Sequence, residues 1–135
     1  MVSIQDLRLT VADTMGKWRE LQRVCDEIAD TERLVNERVP GGARPRGNPR
    51  FLDDLRNTAE AGLTTVGLYE QLLSELPADK AASIHLRVHA AHIAKHQNHA
   101  ATMLGIAIDW LDILNTMLRD APQAAPQARR AREMG

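Results

Sequence analysis

The chain is organised around residues 85–99, which read HLRVHAAHIAKHQNH. This stretch contains all 5 histidines of the protein, and successive histidines are alternately four and three residues apart. Because residues three and four apart lie on the same side of an α-helix, the spacing predicts a helix with one continuous row of imidazoles. We call this row the histidine ladder; its members are His85, His89, His92, His96 and His99.

The same spacing continues beyond the ladder with large apolar side chains. We call this continuation the apolar strip; its members are Met103, Ile106, Trp110, Ile113 and Met117. One side of the predicted helix is therefore histidine in its first half and apolar in its second half. Apolar residues that alternate three and four apart are typical of helices that pack side by side in left-handed bundles. We expect this helix to span about residues 79–119.

Two earlier segments carry the same pattern and predict two more helices, at about residues 3–38 and 49–76. Ser3 is the expected N-cap of the first helix, and Asn48 followed by Pro49 is the expected start of the second. The first helix has an apolar row with two polar members, Thr14 and Glu32. The row of the second helix includes two small residues, Ala59 and Gly62.

Prolines and glycines separate the three helices. Residues 40–49 hold three of each, and Pro77 follows the second helix, so neither segment continues a helix. The short second link makes helices 2 and 3 antiparallel neighbours. The sequence thus predicts an all-α domain over residues 1–119, an elongated three-helix up-down-up bundle with coiled-coil-like heptad packing. Residues 120–135 lack apolar periodicity and are expected to form a disordered tail.

Composition narrows the classes of function. The formal net charge of −1 disfavours a protein that works mainly by neutralising phosphates, so nucleic acid is not an expected partner. Asp109 and Asp112 interrupt the most apolar window, so we expect no membrane span. The first residues lack a basic segment followed by an apolar run, so we expect a cytoplasmic protein or a component of a virion or other assembly.

Counting residues from the shared end of the three helices gives an expected register. It puts His92 and His96 beside Thr14, Ala59 and Gly62, where a hydroxyl and small side chains would make room for the imidazoles. It also makes helix 3 extend past the start of helix 2, so that the end of the apolar strip lacks cover. Such a strip predicts self-association or a helical partner, through an interface of Val35, Val39, Trp110, Ile113, Leu114 and Met117.

The ladder itself admits three interpretations. Neutral imidazoles fit a partly buried, hydrogen-bonded seam if their nitrogens find partners. Imidazole is also a good ligand for zinc, copper or nickel, and pairs four apart on a helix can chelate one ion, so all five histidines are candidate metal ligands. Finally, acidification would protonate several stacked imidazoles and place like charges about one turn apart. The bundle would then loosen.

A fourth alternative comes from residues 87–92, which read RVHAAH. This Arg-x4-His string resembles the catalytic motif of the HEPN ribonucleases, an all-α family of similar length. The resemblance covers these residues alone, and Val88 stands where that family usually has a polar residue. It implies RNA cleavage by Arg87 and His92.

The sequence otherwise lacks a motif that carries catalysis. It has no glycine-rich phosphate loop, no Cys-x-x-Cys motif and no Glu-x-x-His motif. Its lone Cys25 falls on the apolar row of the first helix and is an expected core residue. We therefore expect a non-enzymatic protein whose function is association, with metal binding by the ladder as the main alternative.

Overall fold

The computed structural model describes residues 3–43, 50–76 and 84–134, and in the last of these ranges it describes side chains from residue 87 to residue 121. The described residues form three helices: α1 (Ile4–Arg38), α2 (Phe51–Ser74) and α3 (Ile84–Met134). The all-α class predicted from the sequence is therefore confirmed.

The first helix begins where the sequence predicts. Ser3 Oγ accepts a hydrogen bond from the Asp6 N–H at 3.0 Å, and the Ser3 N–H donates to Asp6 Oδ2 at 3.2 Å. This reciprocal capping box satisfies two backbone groups that a helix start otherwise leaves unpaired. The helix ends at Arg38, after which Gly41 and Gly42 adopt positive φ angles of 85° and 66°. Glycine suits these positions because it has no Cβ to clash in the left-handed region.

The bounds of the other helices differ slightly from the prediction. α2 begins at Phe51 instead of 49, and the predicted Asn48–Pro49 cap lies outside the described residues, as does the start of helix 3 predicted at residue 79. α3 continues to Met134, past the predicted end at residue 119. The segment after 119 is rich in alanine and arginine, which have high helix propensity. The predicted separation of a tail from the domain stays a prediction, because side chains beyond Ala121 are not described.

Helix α1 is the centre of the molecule. It packs extensively against both α2 and α3, whereas α2 and α3 contact each other much less. At one end, the Arg8 guanidinium of α1 donates to the Leu73 carbonyl near the end of α2. On the other side, Gln97 of α3 donates to Asp13 near the start of α1. The helix order is therefore up-down-up, with α2 antiparallel and α3 parallel to α1.

The core follows the predicted apolar rows. On α1 the buried residues include Ile4, Leu7, Val11, Trp18, Leu21, Cys25, Ile28 and Val35. They meet Leu55, Ala59, Val66 and Leu73 of α2 and Ile93, Ala100, Ala107 and Leu114 of α3.

The two polar residues in the apolar row of α1, Thr14 and Glu32, form hydrogen bonds with different partners. Thr14 is fully buried, and its hydroxyl donates to the Thr10 carbonyl at 2.7 Å within the same helix. This bond uses the hydroxyl proton of Thr14, and the expected contact of this hydroxyl with the imidazoles stays a prediction. Glu32 accepts a hydrogen bond from Trp110 Nε1 at 2.9 Å. Because of this bond, the indole N–H of Trp110 keeps a hydrogen-bond partner although the ring is buried.

Candidate functional site

The histidine ladder lies on the side of α3 that faces α2. His89 is in edge-to-face contact with Tyr69 of α2, with ring centroids 5.4 Å apart. Elsewhere α2 and α3 make few contacts with each other. The apolar strip continues the ladder with the same spacing and therefore belongs to the same side of α3.

His89 is a half-buried member of the ladder. Its Nδ1 is buried and has no hydrogen-bond partner among the described residues. A buried polar atom without a partner costs about 1–3 kcal/mol. The contact with the Tyr69 ring holds this imidazole in place, so its role in the fold is packing.

His99 also contacts an aromatic ring. Its imidazole meets the indole of Trp18 at 5.4 Å between centroids, in an edge-to-face arrangement. Trp18 is fully buried in turn, and its other side presses on Gly62 of α2. A Cβ atom at Gly62 would lie 2.3 Å from Trp18 Cε2, so only glycine allows this approach. The space predicted at Gly62 is therefore occupied by Trp18, and not by the imidazoles of His92 and His96.

His92 and His96 are situated differently, because both line an open groove of about 310 Å³ together with Lys95. His92 is exposed and His96 is half-buried. Burial lowers the pKa of His96 below its usual value, and the neighbouring His99 and His92 lower this pKa further. His96 is therefore more readily kept neutral, and a neutral imidazole has a nitrogen lone pair available for a ligand.

A complete metal cage is not formed within the part of the chain that the structure describes. No three side chains of His, Cys, Asp or Glu come together there. His85 belongs to the same helix, but its side chain lies outside the described residues. The ladder is thus divided: His89 and His99 pack on aromatic rings, while His92 and His96 share an open space.

The predicted interface residues separate into two groups. Val35 and Leu114 are fully buried and Trp110 is nearly so, because the end of α1 covers this part of α3. These three residues are core residues of the single chain. Val39 and Met117 are half-buried, and Ile113 is 40% exposed. A further groove of about 290 Å³ is lined by Asp112, Ile113, Thr116, Met117 and Asp120.

Helix α2 stops short of the end of the apolar strip, as predicted. Arg56, in the second turn of α2, lies 3.3 Å from Asp26 of α1. Trp110 contacts Glu32, which is more than a turn further along α1. Among the described residues, Ile113 and Met117 therefore lie beyond the start of α2 at Phe51.

The length and apolar composition of α3 are relevant to whether this helix crosses a membrane. Residues 87–121 are long and apolar enough to cross a membrane by these two criteria, although only 22% of the most apolar window is buried within the chain. The expectation of no membrane span, which rested on Asp109 and Asp112, stays a prediction. Among the described residues of α3, the exposed large apolar side chains are Val88, Ile108 and Ile113.

The residues of the ribonuclease-like string do not converge on one point. Arg87 and His92 are both exposed, and residues five apart on a helix point about 140° away from each other. Within one chain they therefore face different directions.

Two features of the site were not found from the sequence. The Trp18–Gly62 contact required the register of α1 against α2, although a glycine in an apolar row opposite a tryptophan was the available signal. The hydrogen bonds from Arg8 to the end of α2 required knowing which charged residues turn inwards. No protein-family model, curated protein or solved structure matches the chain.

Proposed function

We propose that this chain is a non-enzymatic assembly protein, which associates with further copies of itself through the apolar strip of α3. The observation that supports this function is the partial exposure of the strip: Ile113 is 40% exposed, and Met103, Ile106 and Met117 are half-buried. A contiguous apolar surface is seldom left in water, so a partner is expected to cover it.

A protein partner suits α3 better than lipid. The exposed side of the helix carries Lys95, Asp109 and Asp112. A charged side chain at the centre of a bilayer costs about 2.5–3.5 kcal/mol, even on the scale that gives the lowest penalty. A helix partner covers the apolar strip and leaves these charges in water.

The exposed charges of α3 are unevenly distributed along the helix. Arg87 and Lys95 lie in the first half of the exposed helix surface. Asp109, Asp112 and Asp120 lie in the second half, with Arg119 as the exception. When the apolar strips of two copies overlap, Lys95 and Arg87 lie outside the overlap, so these charges do not select the orientation of the second copy.

Light scattering over a concentration series tests this function. For the untagged chain of 15.0 kDa, we expect a mass that is a whole multiple of this value at micromolar concentration and that falls on dilution. A mass of one chain at all concentrations would overturn the proposal. Flotation with lipid vesicles in the same series identifies a membrane-bound protein, which would also overturn it.

A further inference from the structure

The structure separates two histidines from the rest of the ladder. His92 and His96 line one open groove, while His89 and His99 are packed against Tyr69 and Trp18. His92 and His96 are four residues apart within a continuous helix, so their side chains emerge from the same side, one turn apart.

We propose that His92 and His96 together bind one transition-metal ion of the zinc, copper and nickel group. Each imidazole contributes one nitrogen at about 2.0–2.1 Å for zinc, and water molecules complete the coordination. The site uses two ligands from one chain, and it therefore needs no third side chain from the described residues. It is independent of the association proposed above.

The chemistry of the groove selects this group of metals. Its lining consists of two imidazoles and one ammonium group, with no carboxylate. Magnesium and calcium prefer oxygen ligands, whereas imidazole nitrogen suits zinc, copper and nickel. Metal binding requires neutral imidazoles.

Lys95 opposes the bound ion. Its side chain lines the same groove, and an ammonium group near a divalent cation is repelled at short distance. The Lys95→Gln substitution removes this repulsion while keeping a side chain of similar length. We expect Lys95→Gln to bind the ion more tightly than the wild-type chain does, a change that simple loss of structure would not produce.

Titration of the untagged full chain with zinc chloride, and separately with nickel chloride, tests the site by calorimetry. We expect one ion per chain, a rise in the thermal unfolding temperature with metal, and loss of both effects in His92→Ala and in His96→Ala. Circular dichroism checks that each variant stays helical.

His99→Ala is the matched control, because it removes a ladder imidazole that is packed on Trp18. We expect this variant to keep the affinity of the wild-type chain. The proposal is overturned if the wild-type chain binds neither ion, if His92→Ala and His96→Ala still bind as tightly, or if His99→Ala weakens binding as much as they do. An increase in mass with metal would add that a second copy completes the coordination.

Discussion

At the scale of single residues, the contact of Trp18 with Gly62 sets how closely α1 and α2 approach. The indole lies where a side chain at position 62 would be, with Trp18 Nε1 2.6 Å from the position of a Cβ atom. Trp18 also supports His99 on its other side. One aromatic residue on the central helix thus contacts both outer helices.

Substitution of Gly62 by alanine tests this contact. The added methyl group forces Trp18 or the α2 backbone to move, and such overpacking costs about 1–3 kcal/mol. The higher helix propensity of alanine returns up to about 1 kcal/mol, so we expect a net loss in the free energy of unfolding. Urea unfolding followed by circular dichroism, at a fixed protein concentration, measures it.

Gly67→Ala provides the control within the same helix. Nothing lies within 4 Å of a Cβ atom at this position. We therefore expect Gly67→Ala to stabilise the chain by about 0.5–1 kcal/mol through helix propensity alone. Equal effects of the two substitutions would show that the Trp18 contact does not determine the approach of the helices.

At the scale of elements, the end of α2 depends on α1. The last turn of α2 has no basic residue, although a cation is favourable at a helix C-terminus. Arg8 of α1 fills this role: its Nε and Nη2 donate to the Leu73 carbonyl at 3.1 and 2.8 Å, and Nη2 also donates to the Leu76 carbonyl. Arg8 of α1 therefore donates hydrogen bonds to the carbonyl groups at the end of α2.

The Arg8→Met substitution removes these hydrogen bonds and keeps an unbranched, apolar side chain. Hydrogen bonds to charged groups contribute about 1.5–3 kcal/mol, and partial exposure reduces this value. We expect a loss of about 1–2 kcal/mol in the free energy of unfolding, with hydrogen exchange accelerated in the last turn of α2. Arg19→Met changes an exposed arginine of the same helix, and it should have little effect. Equal effects of the two substitutions would contradict the assigned role of Arg8.

The sequence predicted the helices better than it predicted the contacts between them. The alternation of apolar residues three and four apart located all three helices, and Ser3 marked the start of α1, because both signals depend on neighbours along the chain. The roles of Gly62, which makes room for Trp18, and of Thr14, whose hydroxyl donates to Thr10, were not predicted. Those roles depend on the register between helices, and a shift of one turn changes which side chain meets which.

At the scale of the whole molecule, the three helices are unequally covered. The central helix α1 is packed on two sides, but α2 and α3 make few contacts with each other. The apolar strip of α3 continues past the start of α2 at Phe51. This uneven cover explains why Trp110 and Leu114 are core residues while Ile113, nearby on the same helix, remains 40% exposed.

The apolar strip has a matched internal control. Ile108 and Ile113 are both 40% exposed on α3, and their separation of five residues turns them about 140° apart. Ile113 adjoins the half-buried Met117 in a groove. If the chain assembles through the apolar strip, a charge at position 113 must disrupt assembly, and the same charge at position 108 must not.

Sedimentation velocity of Ile113→Glu, Ile108→Glu and the wild-type chain, at equal micromolar concentration, tests the central claim most directly. We predict that Ile113→Glu sediments as a single chain while retaining its helical circular dichroism, and that Ile108→Glu sediments with the wild-type assembly. The claim is contradicted if both variants keep the wild-type sedimentation coefficient, or if Ile108→Glu dissociates and Ile113→Glu does not.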